Sequence, residues 1–419
     1  MYGKRLALGC YSMFMHSDET NPFFALFIIS LCLVGALGTW FSGTVIMSEL
    51  AERTQLGETQ RVWLTNAVQL GFVMGALLIA FFNLSDSMAL TKLIAFSCGF
   101  AATANLLLLS ADTPIGIITL RFITGVALSG VYPPVVKLVA TWFQAGRGIA
   151  MGVIIGALTI GSAMPHLFRA MVTDENWIHV IWISSAFTFL IGLVFLFVIS
   201  EGPFAFDRTE FKPIQILQVL SNKSFYFLNV GYIGHMWELY AMWAWILTFA
   251  RMPEANLNLV SFLTPEYFSF FVVSIGAIGC VIVGRLSDVF GRCYTTAILM
   301  VISGSCAFLI GFSLEVAPEF FVFVAFIWGF TIISDSGQFS AATTELAESH
   351  LVGTALTMQM ALGFGVTILA IWLVPLSAKW FGSFQWAFLL LFPGPFIGAL
   401  AMLLLRRRPD AIKLALGKR

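Results

Sequence analysis

Between residues 23 and 405 the chain is a succession of apolar runs, each about twenty residues or longer, separated by short polar breaks. An α-helix rises about 1.5 Å per residue, so roughly 20 apolar residues cross the ~30 Å hydrocarbon core of a bilayer. Twelve runs can be drawn, at 23–46, 62–82, 89–110, 113–138, 147–170, 177–200, 225–250, 265–285, 294–314, 318–341, 352–377 and 382–405. In hydrocarbon every backbone N–H and C=O must be satisfied within the chain, which leaves helices for segments of this length. The expectation is an all-α membrane protein with twelve transmembrane helices. Composition agrees, because 59% of the 419 residues are hydrophobic and 11% charged, too few polar side chains to cover a soluble protein of this size.

The longest polar stretch between runs, residues 201–224, separates six spans from six. It divides the chain into an N-terminal six-helix bundle at 1–200, a central loop at 201–224 and a C-terminal six-helix bundle at 225–419. The halves repeat weakly: Leu84-Ser-Asp86 recurs as Leu286-Ser-Asp288 at an offset of 202, and Gly125 in span 4 aligns with Gly329 in span 10 at an offset of 204. A six-plus-six pseudo-two-fold repeat points to a transporter with its site between the halves near the midplane. Of 22 Lys and Arg residues, 16 fall on the side of the two termini, among them Lys4, Arg5, Arg147, Arg208 and Lys212, and five fall on the other. That bias predicts cytoplasmic termini in a plasma membrane, a bacterial inner membrane being the expected setting. No cleavable secretory leader is expected, since the first apolar run follows a 22-residue polar-mixed head and no A-x-A-like site lies ahead of the next span. The six cysteines, Cys10, Cys32, Cys98, Cys280, Cys293 and Cys306, include no CxxC pair and read as small core residues.

An ionised side chain at the bilayer centre costs ~2.5–3.5 kcal/mol on insertion scales, so ionisable residues within spans usually face a cavity or a partner. Those here are Arg121 in span 4, His166 in span 5, His235 and Glu238 in span 7, and Asp335 in span 10. Lys137, at the inner end of span 4, can snorkel to the interface. His235 and Glu238 are three residues apart and share a helix face that Met242 and Trp245 continue. Burial disfavours the ionised carboxyl and a protonated imidazole favours it, so the pair could load and release a proton. Alternatively, Glu238 stays protonated and ties span 7 to a neighbour. Asp335, within Ser334-Asp-Ser-Gly-Gln338, is a second proton-site candidate, and its repeat-mate is Val131 beside Tyr132 and Pro133. Arg121 presents a planar fork of donors suited to a carboxylate or phosphate, or it is a fixed structural partner. Pro133 and Pro134 interrupt span 4 and free carbonyls there. Tyr132, Trp237, Tyr240 and Gln69 complete the candidate substrate-binding set, with Trp243 also considered; packing and interface anchoring are the alternatives for the aromatic members.

Gly284-Arg-Leu-Ser-Asp288-Val-Phe-Gly291-Arg292, between spans 8 and 9, resembles the G-x-x-x-D-[RK]-x-G-[RK]-[RK] loop of the major facilitator superfamily. Val289 and Cys293 stand where that pattern has basic residues, and the first-half copy, Phe82-Asn-Leu-Ser-Asp86, keeps only the acid. The resemblance implies two six-helix bundles working by alternating access. It also implies gating contacts through Gly284, Arg285, Asp288, Gly291 and Arg292. In spans 4 and 5, Arg121-x-x-x-Gly125, Gly130, Tyr132, Pro133, Trp142-Phe143 and Arg147-Gly148 resemble the branch of anion:cation symporters and their organic-anion relatives. Leu128 replaces the carboxylate often found seven residues after the arginine, and the Gly-rich signature of nitrate porters is missing. Gly152, Gly156, Gly161 and Pro165 partly resemble the glycine–proline motif of proton-coupled drug antiporters, with Met164 in place of a glycine; close packing through small residues accounts for them equally.

No nucleotide loop, metal cluster or catalytic triad spacing appears, so neither an enzyme nor a cofactor is expected. The leading expectation is a monomeric secondary active transporter, coupling proton entry to symport of a small organic anion or metabolite. An efflux antiporter for drugs or metabolites is the alternative, and a non-transporting receptor on a transporter scaffold a second. The partners expected are a small molecule, protons and the lipid bilayer, with no nucleic acid.

Overall fold

The computed structural model describes residues 21–143, 147–173, 176–204, 218–219, 221–257, 263–348 and 351–419. Lys4, Arg5, Cys10, Arg208 and Lys212 lie outside these residues, as do most of the central loop and the side chains of Asp86 and Arg147. Eleven of the described helices are long and apolar enough to cross a membrane. Span 7, Lys223–Ala250, is a single helix of 28 residues and equally long. His235, Glu238 and its indole and phenol side chains lower its mean hydropathy. Among the described residues the protein is thus all-α, with twelve membrane-length helices arranged as six and six.

Several starts follow from local sequence. Asn21 caps span 1 by accepting from the Phe23 N–H, with Pro22 at the first helical position. Thr113-Pro114 and Thr264-Pro265 open spans 4 and 8 in the same way. A proline at the first turn gives up an N–H that has no intrahelical partner. Span 5, Arg147–Ala170, matches its expected limits.

Spans 1, 4 and 10 are broken, span 8 is Pro265–Ser274 followed by Gly276–Phe290, and span 12 opens with two 3-10 turns, Phe384–Trp386 and Leu389–Leu391, before its helix Pro393–Arg406. Span 4 is Pro114–Ser129 followed by Tyr132–Ala140, with both prolines in the first turn of the second segment. Span 10 is Pro318–Ser334 followed by Ser336–Leu346, jointed at Asp335. The joints at Val131 and Asp335 are 204 residues apart. Span 1 was expected to run unbroken over 23–46. Instead its helix Pro22–Ala36 gives way to a 3-10 turn Leu37–Thr39, a single turn Ser42–Val45 and a last helix Met47–Thr54.

The offset of 204 has a physical basis. A Cβ built at Gly125 would stand 2.1 Å from the Val68 carbonyl oxygen, and one at Gly329 would stand 1.9 Å from that of Val272. Val68 and Val272 are also 204 apart. Each half therefore has the same backbone-to-backbone crossing, span 2 on span 4 and span 8 on span 10, and only glycine fits at it. The halves meet along span 5 against span 8 and span 2 against span 11.

Contacts of Phe23 with Phe143 (5.5 Å between ring centroids), Ser224 with Asp410 and Lys418 with Asp288 gather one set of helix ends on the face that carries the C-terminal segment, the terminal face. Arg53 with Asp112, Arg169 with Glu49 and Arg251 with Glu266 gather the other set on the distal face. Residues 201–204 remain bonded to the first bundle, since Gly202 N donates to Thr141 Oγ1 at 2.7 Å and Leu90 N to Glu201 at 2.7 Å.

Candidate functional site

Span 7 carries its two ionisable residues into the second half. His235 Nδ1 lies 2.9 Å from Asp335 Oδ1, and both side chains are buried. The contact is not aligned as a hydrogen bond, and Asp335 Oδ1 and His235 Nε2 have no other partner among the described residues. The imidazole is flanked by the rings of Tyr232 and Phe339 at 6.0 and 5.5 Å. Glu238 is equally buried. Ser303 Oγ donates to its Oε1, and Trp328 Nε1 donates to its Oε2 at 3.3 Å.

Sequence reasoning joined His235 to Glu238. The structure joins His235 to Asp335 and gives Glu238 to spans 9 and 10. Residues three apart on a helix are offset by roughly 60° and by most of a turn, enough to meet different neighbours. Ser303 and Trp328 were missed, since nothing in the sequence separates them from packing residues. Among the described residues no group of three His, Cys, Asp or Glu side chains converges to hold a metal.

Arg121 has no exposed surface. Its Nε donates to Leu64 O at 3.0 Å, its Nη1 to Thr39 O at 3.0 Å, and its Nη2 to Trp40 O. Nη1 also lies 3.4 Å from Ser42 Oγ and from Asn105 Oδ1. Thr39 and Trp40 belong to the broken stretch of span 1, so the guanidinium takes up carbonyls that the break sets free. Among the described residues no carboxylate lies within ion-pair distance of it.

Trp40 and Phe41, on that break, cross to the other half. Trp40 lies 5.8 Å from Tyr240 and 6.0 Å from Phe364, and Phe41 lies 6.2 Å from both Tyr240 and Trp243. Phe72 joins them at 4.5 Å from Phe364. This ring cluster spans the seam between the halves, and Arg121, His235, Glu238 and Asp335 are all buried. Tyr240 belongs to the cluster, and Gln69 lies on the face of span 2 that also carries Phe72. Trp237 does not: its indole donates to Leu390 O at 3.4 Å and packs on Gly394 of span 12. Tyr132 opens the second segment of span 4, half-buried.

On the terminal face Arg292 makes a two-pronged pair with Glu345 at the end of span 10, at 2.5 and 2.8 Å. Its other arm donates to Gln338 at 2.6 Å. Asp288 stands 3.4 Å from Arg292 and is half exposed. Gly291 has φ +91°, and a Cβ there would meet the Arg419 carbonyl at 2.1 Å. Gly284 is buried and Arg285 is exposed. The basic member of this motif was legible, but its partner Glu345, 53 residues away, was not. On the distal face a cleft of about 700 Å³ is lined by Glu49, Glu52, Arg53, Arg169, Arg251 and Glu266, with Ser48 and Trp177. It is a charged mouth, separate from the buried groups of spans 7 and 10.

No curated protein matches the sequence. Among solved structures, two of a bacterial homologue of the human lysosomal transporter Spinster, both inward-facing, share the fold. The unoccupied form has a TM-score of 0.66 at 13% identity, covering 93% of this chain and 99% of that one. The occupied form has 0.69 at 13%, covering 93% and 98%. A variant of the nucleoside transporter NupG has 0.66 at 16%, covering 92% and 100%. A family model described as Major Facilitator Superfamily matches residues 26–371, a stretch that takes in the paired glycine crossings, both jointed spans and the Arg292 bracket. These observations describe a multi-pass integral membrane transporter of small molecules, with no enzymatic role, and the chain belongs to the major facilitator superfamily.

Proposed function

We propose that the protein is a proton-coupled secondary active transporter that imports a small organic metabolite by alternating access. The observation that carries this reading is the buried His235–Asp335 contact of 2.9 Å with Glu238 one turn along span 7. Three ionisable groups in one half, away from lipid and water, are costly unless protons come and go. The proton enters when the site faces the distal side and leaves when it faces the terminal side. The Lys and Arg bias supports a cytoplasmic terminal face in a bacterial inner membrane. Both bundles of the seam come from one chain, which supports a working monomer.

The test is uptake into proteoliposomes under an imposed pH gradient, screened over organic anions, neutral metabolites and cationic dyes. Glu238→Gln and Asp335→Asn should retain counterflow, which needs no net proton cycle, and lose uphill accumulation. Normal uphill uptake by both variants would remove the proton site from this cluster. Dye movement against the proton flow would instead establish the efflux antiporter, and ligand binding without flux the receptor.

A second reading, an anionic substrate, has one observation behind it, a buried guanidinium at Arg121 that no described carboxylate balances. In this structure its donors are spent on Thr39, Trp40 and Leu64 carbonyls. An anion would therefore reach it only when the broken stretch of span 1 moves. Arg121→Lys keeps the charge and loses the fork; unchanged anion affinity in that variant would make Arg121 a structural partner alone.

A further inference from the structure

Span 2 presents Asn66, Gln69 and Phe72 at three-residue intervals, along one face of the helix. The outer two reach span 11 of the other half. Asn66 Nδ2 donates to Ile368 O at 3.0 Å, and the Phe72 ring lies 4.5 Å from Phe364. Gln69, between them, has no exposed surface, and among the described residues neither its Oε1 nor its Nε2 has a partner. The indole nitrogens of Trp40 and Trp243 are also buried and without a partner among the described residues. The rings of Trp40 and Phe72 in the first half meet those of Tyr240 and Phe364 in the second at 4.5 to 6.0 Å across the seam.

A buried polar group left unmade destabilises the fold, and a primary amide brings both a donor and an acceptor. Such a cost is out of place in a static hydrophobic seam. It is in place where a ligand supplies the missing bonds.

We propose that Gln69 reads the polar edge of the substrate, and that the substrate is a flat ring compound carrying a hydrogen-bond donor and an acceptor side by side. Aromatic carboxamides and lactam heterocycles have such an edge. The amide of Gln69 matches it with its own acceptor and donor, as amide side chains match the edge of adenine. The rings of Trp40, Phe72, Tyr240 and Phe364 supply faces for the flat body. A carboxylate offers two acceptors and no donor, so it leaves Oε1 of Gln69 unmade. This inference rests on the reading of the seam as the transport path.

The experiment uses the purified full-length protein and four probes: benzamide, uracil, benzoate and cyclohexanecarboxamide. Binding is followed by quenching of tryptophan fluorescence and by thermal stabilisation. Benzamide and uracil should bind, benzoate and the non-planar carboxamide should bind at least about tenfold more weakly, and Gln69→Leu should lose the preference. Gln69→Glu replaces the donor with a second acceptor and should transfer the preference to benzamidine, which offers donors only. That gain cannot come from a misfolded protein. If no probe binds the unaltered protein, or if Gln69→Leu binds benzamide normally, the proposal is overturned and water alone satisfies the amide. Probe selectivity that follows Gln69 while pH-driven uptake ignores Glu238 and Asp335 would keep this inference and sink the proton reading. The reverse pattern would do the opposite.

Discussion

Glu238 is held by two donors, the Ser303 hydroxyl and the Trp328 indole. Ser303→Ala leaves one oxygen of this buried carboxyl without its donor, so uphill uptake should fall several-fold while counterflow, which needs no net proton cycle, is retained. Uphill uptake and counterflow measured side by side check this, and uphill uptake at the unaltered rate would place the proton-bearing site elsewhere. At this scale the sequence was informative about charge and silent about company. His235, Glu238 and Asp335 stand out because ionisable groups are rare in apolar runs. Their partners depend on which helices become neighbours, and a serine or tryptophan in a span reads the same whether it packs or donates.

Among the elements, the most exacting feature is the crossing of spans 2 and 4, repeated by spans 8 and 10. A methyl group at Gly125 or Gly329 would sit about 2 Å from a backbone carbonyl that has no side chain to swing aside. Gly125→Ala and Gly329→Ala should each cost ~1–3 kcal/mol or more by overpacking, whereas Gly365→Ala, with nothing within 4 Å, should be neutral. Thermal unfolding in detergent compares the three, and equal midpoints would remove the crossing as a structural constraint. The break in span 4 was legible through Pro133 and Pro134. The polar run around Asp335 stood out, but no joint was expected there, and the break in span 1 was not legible either. Its freed carbonyls are held by Arg121 from another helix, and local sequence carries no trace of a partner 82 residues away.

For the whole molecule, the two ends of the seam differ in what holds them. On the terminal face the resemblance pointed to Asp288, but Arg292 is better held by Glu345. The Asp288 contact is 3.4 Å and half exposed, a class of pair worth roughly 0–1 kcal/mol. The Glu345 pair is two-pronged and its arginine is buried. Glu345→Gln should change turnover several-fold, with Asp288→Asn changing it less than about twofold and neither altering substrate affinity comparably. Single-turnover uptake alongside binding separates the two effects, and a larger effect from Asp288→Asn would reverse the ranking. One further consequence lies in how the central charges are tethered. Arg121 is bonded within the first half and His235–Asp335 within the second, so each group rides with its own bundle. As the bundles rock, these groups move little along the membrane normal. The electric field then acts on the cargo. A proton carried with a neutral ring compound moves one elementary charge per cycle, worth ~2.3 kcal/mol for every 100 mV, and an interior-negative voltage should speed uptake and produce an inward current. A proton carried with a monoanion moves no net charge, and the same vesicles would stay electrically silent.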